Sequence, residues 1–125
     1  MENGSRYLPL RIEQSFDEVL IARSPDDPIG DPITQARRFV VRGRVQGVGF
    51  RWFVEREAKV LAIAGWVRNN SDGSVEVLAM GTREQLFGFQ SRLRQGPRAA
   101  RVDDVEELEA RPVEGLNTFR IEGAW

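Results

Sequence analysis

Histidine and cysteine are both missing from the 125 residues. Without cysteine there are no disulfides, thiolate zinc sites, iron–sulfur clusters or cysteine nucleophiles. Without histidine there is no Ser-His-Asp triad, no imidazole base and no usual catalytic zinc site. Any catalysis has to run on arginine, lysine, carboxylates, amides or backbone groups. Long apolar runs are missing as well. The longest, Val60 to Val67, is too short to span a bilayer, so no membrane partner is expected. No basic stretch followed by an apolar one opens the chain, and the expected location is the cytoplasm. An excess of positive charge is also lacking. The net charge is −1, which argues against a dedicated nucleic-acid binder.

What remains is an ordinary globular balance, 41% apolar and 30% charged, enough for one domain with a tail. The charges are unevenly spread. Residues 1–36 hold seven acids against three arginines, whereas residues 37–125 hold fifteen bases against twelve acids. Ser24-Pro25-Asp26-Asp27-Pro28-Ile29-Gly30-Asp31-Pro32 separates the two parts and reads as a linker. The expected organisation is therefore an acidic N-terminal extension, 1–36, and a domain, 37–125. Within the extension, Tyr7, Leu8, Leu10 and Ile12 partly alternate, and Phe16, Val19 and Leu20 have helical spacing. A loosely held arm and a partner-binding arm both fit.

From Arg38 to Val45 the chain reads as a strand, with Phe39, Val41 and Val45 on one side and Arg38, Val40, Arg42 and Arg44 on the other. Gly43 to Gly49 reads as a glycine-rich loop. Residues 51–64 predict a helix, with Phe53, Val54, Ala58, Leu61 and Ala64 on its apolar face and Gly65 as its C-terminal glycine. Glu57 falls awkwardly inside that face. Trp66–Asn69 and Ser74–Met80 read as strands joined by an Asp72-Gly73 hairpin turn. Thr82 would cap a helix over 83–95, despite Gly88, and Gly96-Pro97 would stop it. Residues 101–109 predict a fourth strand, and Phe119 to Glu122 a short final one. The order β-α-β-β-α-β implies an α+β, ferredoxin-like split β-α-β sandwich: one antiparallel sheet with both helices on one face. That fold hosts many functions.

The chemistry lies in Gly43-Arg44-Val45-Gln46-Gly47-Val48-Gly49-Phe50-Arg51. Glycines between a strand and a helix let successive N–H groups converge into an anion-binding nest, and the helix N-terminus adds partial positive charge. Arg51 in the first helical turn could fork onto two phosphate oxygens. A cation there is unfavourable by itself and makes sense if an anion comes between. A tight packing turn is the plain alternative. Known nucleotide loops do not fit, because Gly-Phe-Arg replaces Gly-Lys-Ser/Thr and a hairpin follows rather than a parallel strand. Asn69, just before the hairpin, carries a carboxamide that accepts and donates at once; a turn residue is its plain reading. Trp52 and Trp66 read first as packing residues, and lining a substrate entrance is their other role. Asp103, Asp104, Glu106, Glu107 and Glu109 read as solvated charge rather than a cation site.

Together, Val41 to Arg51, Gly65-Trp66-Val67-Arg68-Asn69 with Asp72-Gly73 and Val75-Glu76, and Gly96-Pro97 with Ala100-Arg101-Val102 and Val105 resemble the acylphosphatase family. The resemblance runs from about Arg38 to Ile121. Ala62 and Ile63 depart from it, standing where the family usually shows Gly and Leu. It implies hydrolysis of a small-molecule acyl phosphate to carboxylate and inorganic phosphate, without metal or cofactor. Arg51 and Asn69 fall on the family's catalytic positions. Backbone amides of Arg44, Val45, Gln46, Gly47, Val48, Gly49 and Phe50 would hold the phosphoryl group with Arg51, and a monomer is expected. The leaving carboxylate has a conjugate acid with a pKa of about 4 to 5, so a general acid is not needed. Two other readings stand beside it. One is a binding module, although the aromatics lack the stacking pattern of RNA-recognition domains. The other is a non-catalytic, regulatory acylphosphatase-like domain.

Overall fold

The computed structural model describes residues 34–123. The readings of the extension up to residue 33 lie outside the described residues. Seven elements follow in order: β1 (Gln35–Arg44), α1 (Phe50–Val60), β2 (Ala64–Asn69), β3 (Val75–Gly81), α2 (Arg83–Gln95), β4 (Arg101–Glu109) and β5 (Phe119–Ile121). Among the described residues, no helix is long and apolar enough to cross a membrane.

The strands form one five-stranded sheet in the order β4-β1-β3-β2-β5. The first four are antiparallel to their neighbours, as the sequence implies. β5 corrects the expectation of a wholly antiparallel sheet, because it runs parallel to β2, with Gly65 opposite Phe119 and Val67 opposite Ile121. The reason is topological. β4 and β2 lie towards opposite sides of the sheet, and the connection after β4 must carry the chain across before it can pair. Val113 N–H donates to Met80 Sδ at 3.1 Å, which places that connection over the sheet face away from the helices.

Both helices pack on the other face. The core joins Phe39 and Val41 of β1, Val54 and Ala58 of α1, Val67, Val75, Val77 and Ala79 of the central strands, and Leu86, Phe89 and Leu93 of α2. Phe89 stands edge-on to Phe39 at 6.2 Å and to Phe119 at 6.1 Å. It thereby ties α2 to an inner strand and to the last one, with about 0.5–1.5 kcal/mol per ring pair beyond simple burial. Glu57, the misfit on α1, is almost fully buried between the helices. Its Oε1 lies 3.4 Å from Arg92 Nη1 of α2, so the charge inside the apolar face acts as a helix-to-helix tie. On the open face Glu76 is held by Arg38 and Arg68 at 3.1 and 3.2 Å.

Helix α2 begins as its sequence dictates. Thr82 and Gln85 form a reciprocal capping box, with Gln85 N–H donating to Thr82 Oγ1 and Thr82 N–H to Gln85 Oε1. Helix α1 differs from expectation at its end. It stops at Val60, not 64, and Gly65 is not its terminal glycine. The left-handed residue is Ala62, φ 60°, with Ile63 N–H donating to Ala58 O and Ala62 N–H to Lys59 O. Those two bonds make a Schellman motif that normally uses glycine. Gly65 serves another purpose inside β2: a Cβ there would lie 1.8 Å from Leu78 O.

A non-glycine residue in the left-handed region costs about 1–2 kcal/mol, partly offset by the lower entropy of its unfolded chain. Ala62→Gly should therefore stabilise the domain by about 0.5–1 kcal/mol and raise the melting temperature by several degrees. Calorimetry of the two proteins checks this. A lower melting temperature for the glycine variant would show that the Ala62 methyl contributes more than its strain costs.

Candidate active site

The chain leaves β1 at Arg44, bends through residues 45–49 and enters α1. The phases of φ across this loop alternate: Gly47 and Gly49 are at 74° and 78°, and Val48 between them is negative. Such alternation turns successive N–H groups toward a common point. A Cβ at either glycine would meet nothing within 4 Å, so the conformation, not crowding, calls for glycine. Gly49 is the N-cap of α1 and brings no side chain to its first turn, where no acidic residue stands either. The first helical hydrogen bond is Phe53 N–H to Gly49 O, 3.1 Å.

Beside this turn is a cavity of about 220 Å³ lined by Val45, Gly47, Gly49, Phe50, Arg51, Trp52 and Asn69. Both side chains singled out in the sequence thus meet in one place, although they are eighteen positions apart in the chain. Of the loop, Val45, Gly47, Gly49 and Phe50 reach the cavity wall. Arg44, Gln46 and Val48 do not: Arg44 is the exposed last residue of β1, Val48 packs toward the core, and Gln46 turns aside.

Asn69 ends β2, two residues after the buried Val67 and so on the same face. Its Oδ1 is buried and accepts no hydrogen bond from the described residues. An orphaned buried acceptor costs roughly 1–3 kcal/mol, and native structures keep few of them. Arg51 Nη1 donates to the Glu122 carbonyl at 3.4 Å. Glu122 N–H in turn donates to Val67 O at 2.8 Å, so the chain just after β5 is fixed to β2 and helps to orient the guanidinium.

Two supporting contacts escaped the sequence reading. The Glu122 carbonyl is a backbone atom from the far end of the chain and leaves no signal in composition or spacing. Gln46 does leave one, as a polar residue set among glycines. Its Nε2 donates to the carbonyls of Asn70 and Ser74, at 2.8 and 2.9 Å. One side chain thereby ties the loop to the β2–β3 hairpin that carries Asn69. The hairpin is braced further by Asp72, whose Oδ1 accepts from Ser74 N–H at 2.9 Å and Ser74 Oγ–H at 2.6 Å. These bonds hold the Asp72 carboxyl below the usual carboxylate range. Its contribution to stability is therefore present at neutral pH and lost as acid takes the pH down through the lowered value.

An arginine fork, a nest-like backbone and an unsatisfied carboxamide around one small cavity suit an anionic group and a water molecule. The family model described as Acylphosphatase matches residues 37–121. The acylphosphatase of Koribacter versatilis is 58% identical over 91 residues, which is 73% of this chain and 83% of that protein. The crystal structure of the Bacillus subtilis acylphosphatase superposes with a TM-score of 0.68 at 42% identity, covering 73% of this chain and all of the other. A Coxiella burnetii acylphosphatase structure gives 0.67 at 37% identity, covering 71% and 93%. The chain therefore belongs to the acylphosphatase family, enzymes that hydrolyse acyl phosphates to a carboxylate and inorganic phosphate.

Proposed function

We propose that the cavity beside α1 is where this acylphosphatase holds the phosphoryl group, with Arg51 and Asn69 as its catalytic residues. One observation carries the reading: the Arg51 side chain, the glycine turn and the unsatisfied Asn69 Oδ1 line the same cavity. Arg51 and the loop N–H groups that reach the cavity, at Val45, Gly47, Gly49 and Phe50, grip the phosphoryl oxygens and stabilise the charge that develops on them. The contribution of each loop amide depends on the convergence that Gly47 and Gly49 allow.

Asn69 Oδ1 accepts a hydrogen bond from the attacking water and aims it at phosphorus. The water oxygen forms the new P–O bond as the acyl P–O bond breaks. The electron pair of the broken bond leaves with the carboxylate, and both protons of the water end on the phosphate, which forms as dihydrogen phosphate. A carboxylate leaves without help from an acid, so positioning and charge stabilisation suffice. In this reading the enzyme needs no metal or cofactor and works as a cytoplasmic monomer. The catalytic unit in this reading runs from Gln35, where β1 begins two residues before the expected domain start and Ala36 already pairs with Met80.

The test is hydrolysis of benzoyl phosphate with and without EDTA. Equal rates are expected. A rate that EDTA abolishes and a divalent cation restores would put a metal where this reading has only Arg51 and backbone amides.

A further inference from the structure

Four large apolar side chains are exposed among the described residues: Trp52, Val60, Phe87 and Val113. Trp52 alone of these lines the cavity with Arg51 and Asn69. It is 65% exposed, unusual for so large an apolar surface, and no aromatic ring among the described residues packs against it. A residue that both lines a cavity and faces solvent stands at its mouth.

Its place follows from the helix. Trp52 is the third residue of α1, next to Arg51. Side chains in a helix lean back toward its N-terminus, here toward the glycine turn. The phosphoryl group, held by Arg51 and the turn, leaves the acyl end of the substrate directed out of the cavity. The indole face is the apolar surface available there. Nothing about phosphate itself calls for an indole.

We infer that Trp52 is the acyl-group platform of the site and biases the enzyme toward acyl phosphates whose acyl part is aromatic or otherwise flat and apolar. This deepens the proposed function and rests on its placement of the phosphoryl group. Packing of a ring on the indole is felt alike by bound substrate and transition state. Trp52 is therefore a specificity-determining residue, and its loss should appear in KM rather than kcat.

The experiment compares benzoyl phosphate with acetyl phosphate in wild type, Trp52→Ala and Trp52→Phe. For Trp52→Ala, KM for benzoyl phosphate should rise about fivefold at unchanged kcat, the scale of one aromatic contact. KM for acetyl phosphate and inhibition by inorganic phosphate should stay as in wild type, and Trp52→Phe should recover most of the loss. The high exposure of Trp52 means that truncation leaves the core intact. An unchanged benzoyl-to-acetyl ratio overturns the inference. So does a parallel rise in all three constants, which would make Trp52 part of the phosphate cradle. Failure of the catalytic assignment would show separately, as activity that survives Arg51→Ala, and leaves the comparison of the two substrates readable.

Discussion

Arg51→Ala is expected to lower turnover of acyl phosphates by at least about a hundredfold and to weaken inhibition by inorganic phosphate in parallel. The first figure is the usual cost of removing one preorganised charge donor from a reacting centre. The second follows because the same guanidinium grips the phosphoryl group of both substrate and product. The fold should survive, since the side chain is only half-buried and lines the cavity rather than the hydrophobic core. Arg51→Lys is a sharper version of the test. An ammonium keeps the charge and loses the planar fork, so binding should recover more than turnover. Steady-state kinetics with phosphate as inhibitor, beside a melting curve, decide the matter. If Arg51→Ala kept most of its turnover, the phosphoryl group would have to sit elsewhere.

Asn69→Ala is expected to divide the two functions that Arg51 joins. Its kcat should fall by two orders of magnitude or so, while inorganic phosphate binds within about twofold of wild type, because the carboxamide acts on water and not on the anion. Stability gives an independent readout. Asn69 Oδ1 is buried without a partner among the described residues. Its removal leaves no protein group among the described residues without its hydrogen-bond partner, so the melting temperature should hold. A residue that served only to shape the hairpin would do the reverse, losing stability and activity together. Lost phosphate affinity with normal stability would assign Asn69 to the anion instead of the water.

The sequence showed most of the scaffold and both proposed catalytic side chains for physical reasons that can be named. Alternation in Arg38–Val45, the Thr82 capping signal and the Asp72-Gly73 turn are local, and local preference agrees there with the tertiary result. Helix α1 ends at Val60, short of the 64 that its sequence predicts, because Gly65 reads locally as a helix terminator, whereas Ala62 takes the left-handed place and Gly65 is needed where β2 approaches the Leu78 carbonyl. The direction of β5 depends on a connection that spans the whole sheet, which no short window can see. At the site, Arg51 and Asn69 were legible through the motif around them. The tether from Gln46 to the hairpin was not, since its partners are main-chain oxygens twenty-four and twenty-eight positions away.

The contact between Arg51 and Glu122 also bears on when the enzyme becomes active as it is made and unmade. The orienting carbonyl lies just beyond a strand of three residues, the last in the sheet. During synthesis the glycine turn and Asn69 emerge well before it, so a nascent chain carries its chemistry unaligned until β5 has also emerged and docked. In the finished protein, a short strand at the sheet margin is the kind of unit that opens well below the free energy of global unfolding. Each such opening releases the arginine from one of its guides while the core stays shut. Under mild heat or denaturant, activity should therefore fade before the sheet does, and amide exchange at Phe119–Ile121 should keep time with the loss.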